Sequence, residues 1–244
     1  MSAIELYQRP SADFAAKVQA SVALLQQWGQ AHGRITQASS LGAEDMVLTH
    51  LVHLSGIRSG VFVLDTGHLH AETLALIPAI EARYGLQVDV YQPDAQRLSV
   101  LLADHGPDLM FESVPLRKAC CAARKLEPLS RALQGVDLWL TGLRREQSPE
   151  RQDTAAIETD GPRRKASPLL DWTWGDVWHF IAEHQLAYNP LHDAFYPSIG
   201  CAPCTRAISV GEDFRAGRWW WEDEKAKECG LHVQSIESQR PQAA

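Results

Sequence analysis

The stretch ITQASSLGAED (residues 35–45) begins with a strand pattern that runs into a polar turn and then a helix. The first six residues predict the strand, LGAED the turn, and the following pattern a helix over residues 44–54. In an open α/β sheet, ligands bind just beyond the carboxyl ends of the strands. The turn is therefore a predicted ligand-binding loop, with candidate contacts at Ser39, Ser40 and Gly42.

On both sides of this stretch, strand patterns alternate with helix patterns. Before it, residues 11–32 predict an amphipathic helix with Ser11 as N-cap and Gly33 as stop. After it come a strand at 61–66, a helix at 70–84, a strand at 87–92, helices at 94–104 and 119–133, strands at 136–142 and 165–170, and a helix at 173–185. Such alternation predicts an α/β fold, with a parallel sheet and helices on both faces.

The predicted strand ends supply further candidate ligand contacts. VFVLDT ends at Asp65 and Thr66, VDLWLTG ends at Thr141 and Gly142, and Arg144 follows closely behind the second strand. The carboxyl ends of parallel strands meet at one edge of the sheet. We therefore expect these residues to line the same crevice as the first loop.

The composition is that of one globular domain, or of one domain with an appended tail. The chain has 244 residues and a formal net charge of -7, which disfavours a general nucleic-acid binder. No segment approaches the roughly 20 apolar residues of a membrane span, and the N-terminus has no secretory signal pattern. We expect a cytoplasmic protein without nucleic-acid or membrane partners, and a homo-oligomer is left open.

The pattern changes after about Arg218. Residues 219–244 read WWWEDEKAKECGLHVQSIESQRPQAA, a polar sequence with few apolar positions beyond its aromatic start. Such a composition predicts a flexible C-terminal tail that an aromatic cluster attaches to the body. The predicted division is a domain over residues 1–218 and a tail over residues 219–244.

Two pairs of cysteines are the strongest chemical signal. Cys120 and Cys121 are adjacent, and Cys201 and Cys204 form a C-x-x-C turn. In a reducing compartment, such thiols indicate metal ligation before disulfides. An iron–sulfur cluster offers a separate iron to each sulfur, whereas structural zinc favours spaced cysteines in both pairs. The pattern favours a cluster, with zinc and an unliganded dithiol as the alternatives.

The fifth cysteine, Cys229, belongs to neither pair. It lies in the motif KECGLH, where Lys225, Lys227 and His232 would favour its thiolate and Glu228 would oppose it. The tail sequence alone is compatible with a nucleophile and equally with an incidental surface thiol.

Seven motifs together resemble one known family. SLGAED, VLDTGHLHAET, CCAARKLEPL, TGLRREQS, the C-x-x-C loop, EDFRAGRWWW and ECGLH are similar to those of the cluster-containing adenylyl-sulfate reductases of bacterial sulfate assimilation. The similarity spans about residues 35–232. It implies the adenine-nucleotide α-hydrolase fold, which is related to the pyrophosphate-loop ATPases. Their first loop is typically S-G-G-K-D-S; the loop here lacks the lysine and one glycine, which fits a nucleotide with one phosphate and argues against ATP cleavage.

The resemblance also implies a reaction and its residues. One 4Fe–4S cluster per chain would be held by the four paired cysteines, supporting substrate binding electrostatically and structurally without shuttling electrons. Cys229 would attack the sulfur of adenylyl sulfate and expel AMP. Thioredoxin or a glutaredoxin-like reductant would then release sulfite and restore the thiol. The residues expected at the substrate's sulfate and phosphate are Lys125, Arg215, Arg218 and His232.

Three other functions compete with this one. Reduction of the 3′-phosphorylated nucleotide is disfavoured, because family members that use it usually lack the four cluster cysteines. A non-catalytic cluster-bearing sensor would need neither Cys229 nor Lys125. A tRNA-thiolating ATPase of the same superfamily is disfavoured by the missing lysine in the first loop and by the acidic net charge.

Overall fold

The computed structural model describes residues 1–148, 151–209 and 211–222. Within these residues the chain forms a six-stranded sheet from β1 (Ile35–Ser39), β2 (Gly60–Leu64), β3 (Val88–Tyr91), β4 (Leu138–Leu140), β5 (Ile157–Asp160) and β6 (Arg163–Ala166). The order across the sheet is β3-β2-β1-β4-β6-β5. All pairings are parallel except that of β5 with β6.

Helices cover both faces of this sheet, as predicted. They are α1 (Ala3–Tyr7), α2 (Phe14–Ala31), α3 (Ala43–Ser55), α4 (Ala71–Leu74), α5 (Leu76–Tyr84), α6 (Ala95–His105), α7 (Leu109–Glu112), α8 (Val114–Cys121), α9 (Glu127–Ala132) and α10 (Trp174–Glu183). On one face, α2, α3 and α10 pack Leu25, Val47 and Trp178 against β1, β4 and β6. On the other face, Leu129 of α9 packs against Phe62 of β2.

The strand order reverses direction at β1, and this reversal positions the site. Gln37 of β1 lies opposite Val61 of β2 on one side and Leu140 of β4 on the other. The chain builds outward from β1 to β3 and then returns to the far side of β1 with β4. At such a switch point the loops after the two central strands diverge and leave a crevice. The crevice here lies beyond the carboxyl ends of β1 and β4.

The N-terminal helix begins later than predicted. α2 starts at Phe14, with Asp13 as its N-cap residue, because Ser11 is bonded to another element. The backbone N and the hydroxyl of Ser11 both donate to Asp176 Oδ1, at 2.7 and 2.8 Å. Asp176 lies in the first turn of α10, which Thr173 caps. Ser11 therefore ties the N-terminal segment to α10.

The strand predicted at 165–170 belongs to a hairpin that the sequence pattern did not reveal. β5 and β6 pair antiparallel, with Thr159 opposite Arg164, and β6 ends at Ala166. The indole N–H of Trp139 on β4 donates to Asp160 Oδ2 at 2.9 Å. The residues of this hairpin are mainly polar, so they lack the alternating apolar pattern that predicts a strand. β5 is an edge strand, and edge strands need no such alternation.

Two predicted helices are interrupted. The helix expected at 70–84 is divided into α4 and α5 at Ala75. It ends at Tyr84 as expected, and the C-cap residue Gly85 has φ +63°. The helix expected at 119–133 consists of α8, a π-helical turn over Ala122–Leu126, and α9. Such turns are frequent at functional sites, and this one carries Lys125.

The start of the predicted tail packs into the body, since Trp219 is only 1 % exposed. The rest of that tail, residues 223–244, lies outside the described residues. Among the helices of the described residues, none has the length and apolarity needed to cross a membrane.

Candidate active site

A buried carboxylate holds the predicted ligand-binding loop in place. Asp45, in the first turn of α3, accepts hydrogen bonds from the backbone N and the hydroxyl of Ser40, at 2.7 and 2.6 Å. It also accepts one from the backbone N of Gly142 at 3.1 Å, and so joins the ends of β1 and β4. A Cβ at Gly142 would lie 2.6 Å from Asp45 Oδ1, so no side chain fits there. Burial raises the pKa of Asp45 to about 6, although these hydrogen bonds oppose the shift.

A cleft of about 260 Å³ lies beyond these strand ends, near the lower limit of roughly 300 Å³ for small-molecule sites. Apolar side chains line one part of it, including Phe62, Leu129 and Trp139. The predicted contact residues that line the cleft are Ser39, Ser40, Gly42, Thr66, Lys125, Thr141, Gly142, Arg215 and Arg218. With Arg151, four cations line the cleft beside this apolar surface, together with the two carboxylates of Glu44 and Asp45. The excess of cations suits an anionic ligand that also carries an apolar ring.

The four paired cysteines surround one small cavity beside the cleft. They are Cys120, Cys121, Cys201 and Cys204. Each is 6–7 % exposed, and no disulfide joins them. The first pair ends α8, and the second is brought to it by the loop after β2. There the backbone N of Ala202 donates to the O of His68 at 2.7 Å, and Leu69 forms an isolated β-bridge with Cys201.

The chemistry of this cavity suits a bound metal cluster. Burial raises the pKa of Cys120, and burial together with the neighbouring Cys201 and Cys121 raises the pKa of Cys204 to about 12. A bound metal would oppose this shift, because coordination stabilises the thiolate. The described part of the chain contains no group of three or more His, Cys, Asp or Glu side chains arranged around a single metal ion. Four buried sulfur donors could instead hold a cluster of several irons.

The cleft and the cysteine cavity share a wall. Lys125 and Trp219 line both spaces. Thr66 lines the cleft, while its hydroxyl oxygen lies 3.2 Å from Cys201 Sγ. At Cys201, burial would raise the pKa, but Lys125, Thr66 and nearby arginines outweigh it and lower the pKa overall. A charge in either space therefore acts on the other at short range.

Arg144, a predicted substrate contact, does not line the cleft. It is 1 % exposed, and its guanidinium donates to Glu44 at 2.9 Å and to Glu146 at 2.5 Å. Its Cζ lies 5.3 Å from the ring centroid of Trp174. The side chain thus holds the loop after β4 against α3. Two carboxylates and an aromatic ring already contact the guanidinium, and a ligand would have to compete with them.

Asp65 follows β2 as predicted, but its carboxylate is used within the loops and does not line the cleft. It accepts hydrogen bonds from the backbone N of Gly67 at 2.9 Å and from Gln92 Nε2 at 3.0 Å. The two remaining predicted site residues, Cys229 and His232, lie outside the described residues. Their roles stay predictions from the sequence.

His192 is one of the cleft residues that the sequence analysis missed; Gln147 and Arg151 are others. His192, in a 3-10 turn over Pro190–Ala194, lines the cleft and is 3 % exposed. Burial lowers the pKa of His192, although the charge of Glu44 opposes this. No local pattern marks this histidine, because a distant contact sets the position of its turn: Asn189 Nδ2 donates to Thr73 Oγ1 at 2.8 Å.

The sheet order and the cleft at its switch point define the class: a doubly wound α/β protein with a cleft at the carboxyl ends of its central strands. A phosphate complex of phosphoadenylyl-sulfate reductase from Candida auris is similar over 80 % of this chain and 94 % of that chain, with a TM-score of 0.65 and 24 % identity. FMN adenylyltransferase from Candida glabrata is similar over 90 % of this chain and 80 % of that chain, with a TM-score of 0.57 and 14 % identity. At these identities the likeness concerns the fold.

The chain belongs to the phosphoadenosine phosphosulfate reductase family, whose domain pattern matches residues 34–207. The adenosine 5′-phosphosulfate reductase of Burkholderia cepacia is 50 % identical over 226 residues, which cover 92 % of this chain and 90 % of that protein. The protein of the same name from Allochromatium vinosum is 49 % identical over 226 residues, covering 92 % and 88 %. These similarities confirm the predicted family resemblance.

Proposed function

We propose that this protein reduces adenylyl sulfate to sulfite and AMP in assimilatory sulfate reduction, the route to cysteine. The observation that carries the proposal is the position of Lys125, which lines both the cleft and the cavity of the four cysteines. Two relatives with about half their residues identical bear the name of this activity.

The cleft residues divide the substrate between them in this proposal. The apolar side chains of Phe62, Leu129 and Trp139 receive the adenine ring. The phosphate and sulfate lie against Lys125, Arg215 and Arg218, with His232 as a further contact. The loops after β1 and β2 add hydroxyl groups, from Ser39, Ser40 and Thr66. These groups orient the sulfur of the substrate toward the cysteine that attacks it.

Cys229 is the proposed nucleophile. Its thiolate attacks the sulfur of adenylyl sulfate, the bond from that sulfur to the bridging oxygen breaks, and AMP leaves with the electron pair. Lys125 and Arg218 stabilise the negative charge that develops on the leaving phosphate. The enzyme is left with S-sulfocysteine at Cys229.

Release of sulfite needs a dithiol, which we propose is thioredoxin or a glutaredoxin-like protein. One of its thiolates attacks the Cys229 sulfur, and sulfite leaves with the electron pair of the broken S–S bond. The second thiol of the reductant then resolves the mixed disulfide and restores the Cys229 thiol. The dithiol thus supplies both electrons. We place the reaction in the cytoplasm, where such reductants are kept reduced.

The proposed cofactor is one 4Fe–4S cluster, for which Cys120, Cys121, Cys201 and Cys204 provide the ligands and which supplies electrostatic and structural support for substrate binding. Lys125 links this support to the cleft, because its side chain lines both spaces. In this proposal residues 1–218 form the reductase domain, and residues 219–244 form the tail that brings Cys229 to the substrate.

Sulfite release from two nucleotides tests the function directly. Protein purified without oxygen is supplied with thioredoxin and either adenylyl sulfate or its 3′-phosphorylated form. We expect turnover of adenylyl sulfate to be well above that of the 3′-phosphorylated nucleotide. The reverse preference would indicate the second candidate activity, reduction of the 3′-phosphorylated nucleotide, which is the substrate in the name of the family. Iron-loaded protein that releases sulfite from neither would point to the sensor.

A further inference from the structure

Residues 218–222, which we call the strap, cross the wall between the cleft and the cysteine cavity. Arg218 lines the cleft, and Trp219 lines both spaces. Backbone pairing joins the strap to the cysteine loop: Trp219 N donates to Cys204 O at 3.2 Å, and Arg218 forms an isolated bridge with Thr205. Trp219 has φ +42°, a left-handed conformation that is unfavourable for a bulky residue. Other contacts must therefore hold the strap in this shape.

A buried ion pair holds the far end of the strap. Glu222 accepts two hydrogen bonds from Arg117, from Nε at 2.9 Å and from Nη2 at 2.7 Å. The side chain of Arg117 is 0 % exposed and that of Glu222 is 3 % exposed. Solvent cannot screen such a pair, and removal of Glu222 would take its carboxylate away from the buried guanidinium of Arg117.

Arg117 connects this ion pair to both functional spaces. It lies on α8, in the turn before Cys120 and Cys121, and it lines the cysteine cavity. Its Cζ lies 4.6 Å from the ring centroid of Trp219, and the Cζ of Arg218 lies at the same distance from that ring. Two guanidinium groups packed on one indole link the buried pair to a cation that lines the cleft.

We propose that Glu222 and Arg117 are positioning residues that lock the strap, and that the lock both orients Arg218 in the cleft and fixes the origin of the segment that carries Cys229. The second part rests on the proposed function. Cys229 follows Glu222 by seven residues (229 − 222), and seven residues span at most about 25 Å. The position of Glu222 therefore bounds the region that the nucleophile can reach. When the lock is open, Arg218 loses one of the contacts that orient it, the ring of Trp219, and the tether of Cys229 grows longer.

Three variants test the lock. Glu222→Gln removes the charge and keeps the shape, whereas Glu222→Asp keeps the charge on a shorter side chain. Glu212→Gln is the matched control, because it breaks the Arg206–Glu212 ion pair, whose side chains are 38 % and 33 % exposed. Hydrogen exchange of residues 218–222 in iron-loaded protein reports on the strap. Equilibrium binding of adenylyl sulfate, measured with Cys229→Ser added so that no covalent step follows, reports on Arg218.

The lock predicts a distinct pattern across these measurements. In Glu222→Gln, exchange of the strap should quicken at least about tenfold and affinity for adenylyl sulfate should fall about tenfold. With Cys229 present, the rate of its sulfonation at saturating substrate should also fall. Glu222→Asp should restore most of the protection, Glu212→Gln should match wild type, and iron content should stay constant in all three.

Several outcomes would overturn the lock. One is a rate of hydrogen exchange in the strap of Glu222→Gln that equals the wild-type rate. Another is a change in exchange and affinity in Glu212→Gln as large as that in Glu222→Gln. If Glu222→Gln does not fold, Arg117→Lys takes its place. This variant keeps the positive charge but loses the bidentate contact with Glu222, and hydrogen exchange of the strap must be faster in it for the proposal to stand. Wild-type protein that neither binds adenylyl sulfate nor becomes sulfonated would refute the proposed function alone, since the exchange measurements involve no substrate.

Discussion

The hydroxyl oxygen of Thr66 lies 3.2 Å from the Sγ of Cys201, across the wall between the cleft and the cysteine cavity. The backbone O of the same threonine accepts a hydrogen bond from Arg124 at 2.7 Å, and Arg124 also lines the cysteine cavity. The loop after β2 therefore contributes to both spaces at once. The two spaces therefore form one site, in which a change of charge or position at the cysteines affects the residues that line the cleft.

Protein purified without oxygen is expected to be brown, with about four irons and four sulfides per chain, since four thiolates complete the ligand set of a cluster. Cys121→Ser or Cys204→Ser should bleach it, as judged by iron analysis and the visible spectrum. Cys229→Ser is the matched control and should keep its colour. A colourless protein that carries one zinc per chain would contradict the proposed cofactor.

Lys125→Ala and Arg218→Ala are each expected to weaken binding of adenylyl sulfate by about ten- to a hundredfold. Each lost charge-assisted hydrogen bond should cost roughly 1.5–3 kcal/mol. Equilibrium binding in the Cys229→Ser background measures the effect, and circular dichroism checks that the fold is intact. Lys118→Ala, on an exposed position of α8, is the control. Wild-type affinity in both variants would mean that neither cation contacts the substrate.

Asp45→Asn is expected to change how the free energy of unfolding depends on pH. The pKa of Asp45 is about 6 in the folded protein, against 3.8 for an ordinary aspartate. The raised pKa means that this carboxyl contributes stability below about pH 4, a contribution that is lost as the pH rises through 6. The gap between the two values corresponds to roughly 3 kcal/mol.

Denaturant titrations of both proteins between about pH 4 and pH 7 measure this effect. The wild type should lose stability relative to Asp45→Asn as the pH rises, because only the wild type must bury a charge there. Curves that stay parallel over this range would show that Asp45 titrates normally in the folded protein.

Cys229→Ser is expected to bind adenylyl sulfate and release no sulfite, because the four paired cysteines serve the cluster and leave Cys229 for the covalent step. Wild-type protein given substrate without a reductant should gain about 80 Da, the mass of SO₃, on the peptide that contains ECGLH. Peptide mass spectrometry locates the adduct. An adduct on another cysteine, or turnover by the serine variant, would assign the nucleophile elsewhere.

Local periodicity was enough to predict most of the fold. Strands repeat every two residues and helices every 3.6, so β1 to β4 and most helices leave a signal within a short window. The hairpin of β5 and β6 left none, because its residues are mainly polar. The break at Ala75 and the π-helical turn at Ala122–Leu126 were missed for a related reason. Both occur inside segments whose overall composition still favours a helix.

The sequence by itself determined the alternation of strands and helices, the loops at the strand ends, and the two cysteine pairs. Only the tertiary structure decided which side chains share a space. Thr66 contacts Cys201, 135 residues away, and the guanidinium of Arg144 donates to Glu44, 100 residues away. A local pattern specifies the place of a residue along its element. The direction of its side chain depends on which distant elements pack beside it and on the charges they bring.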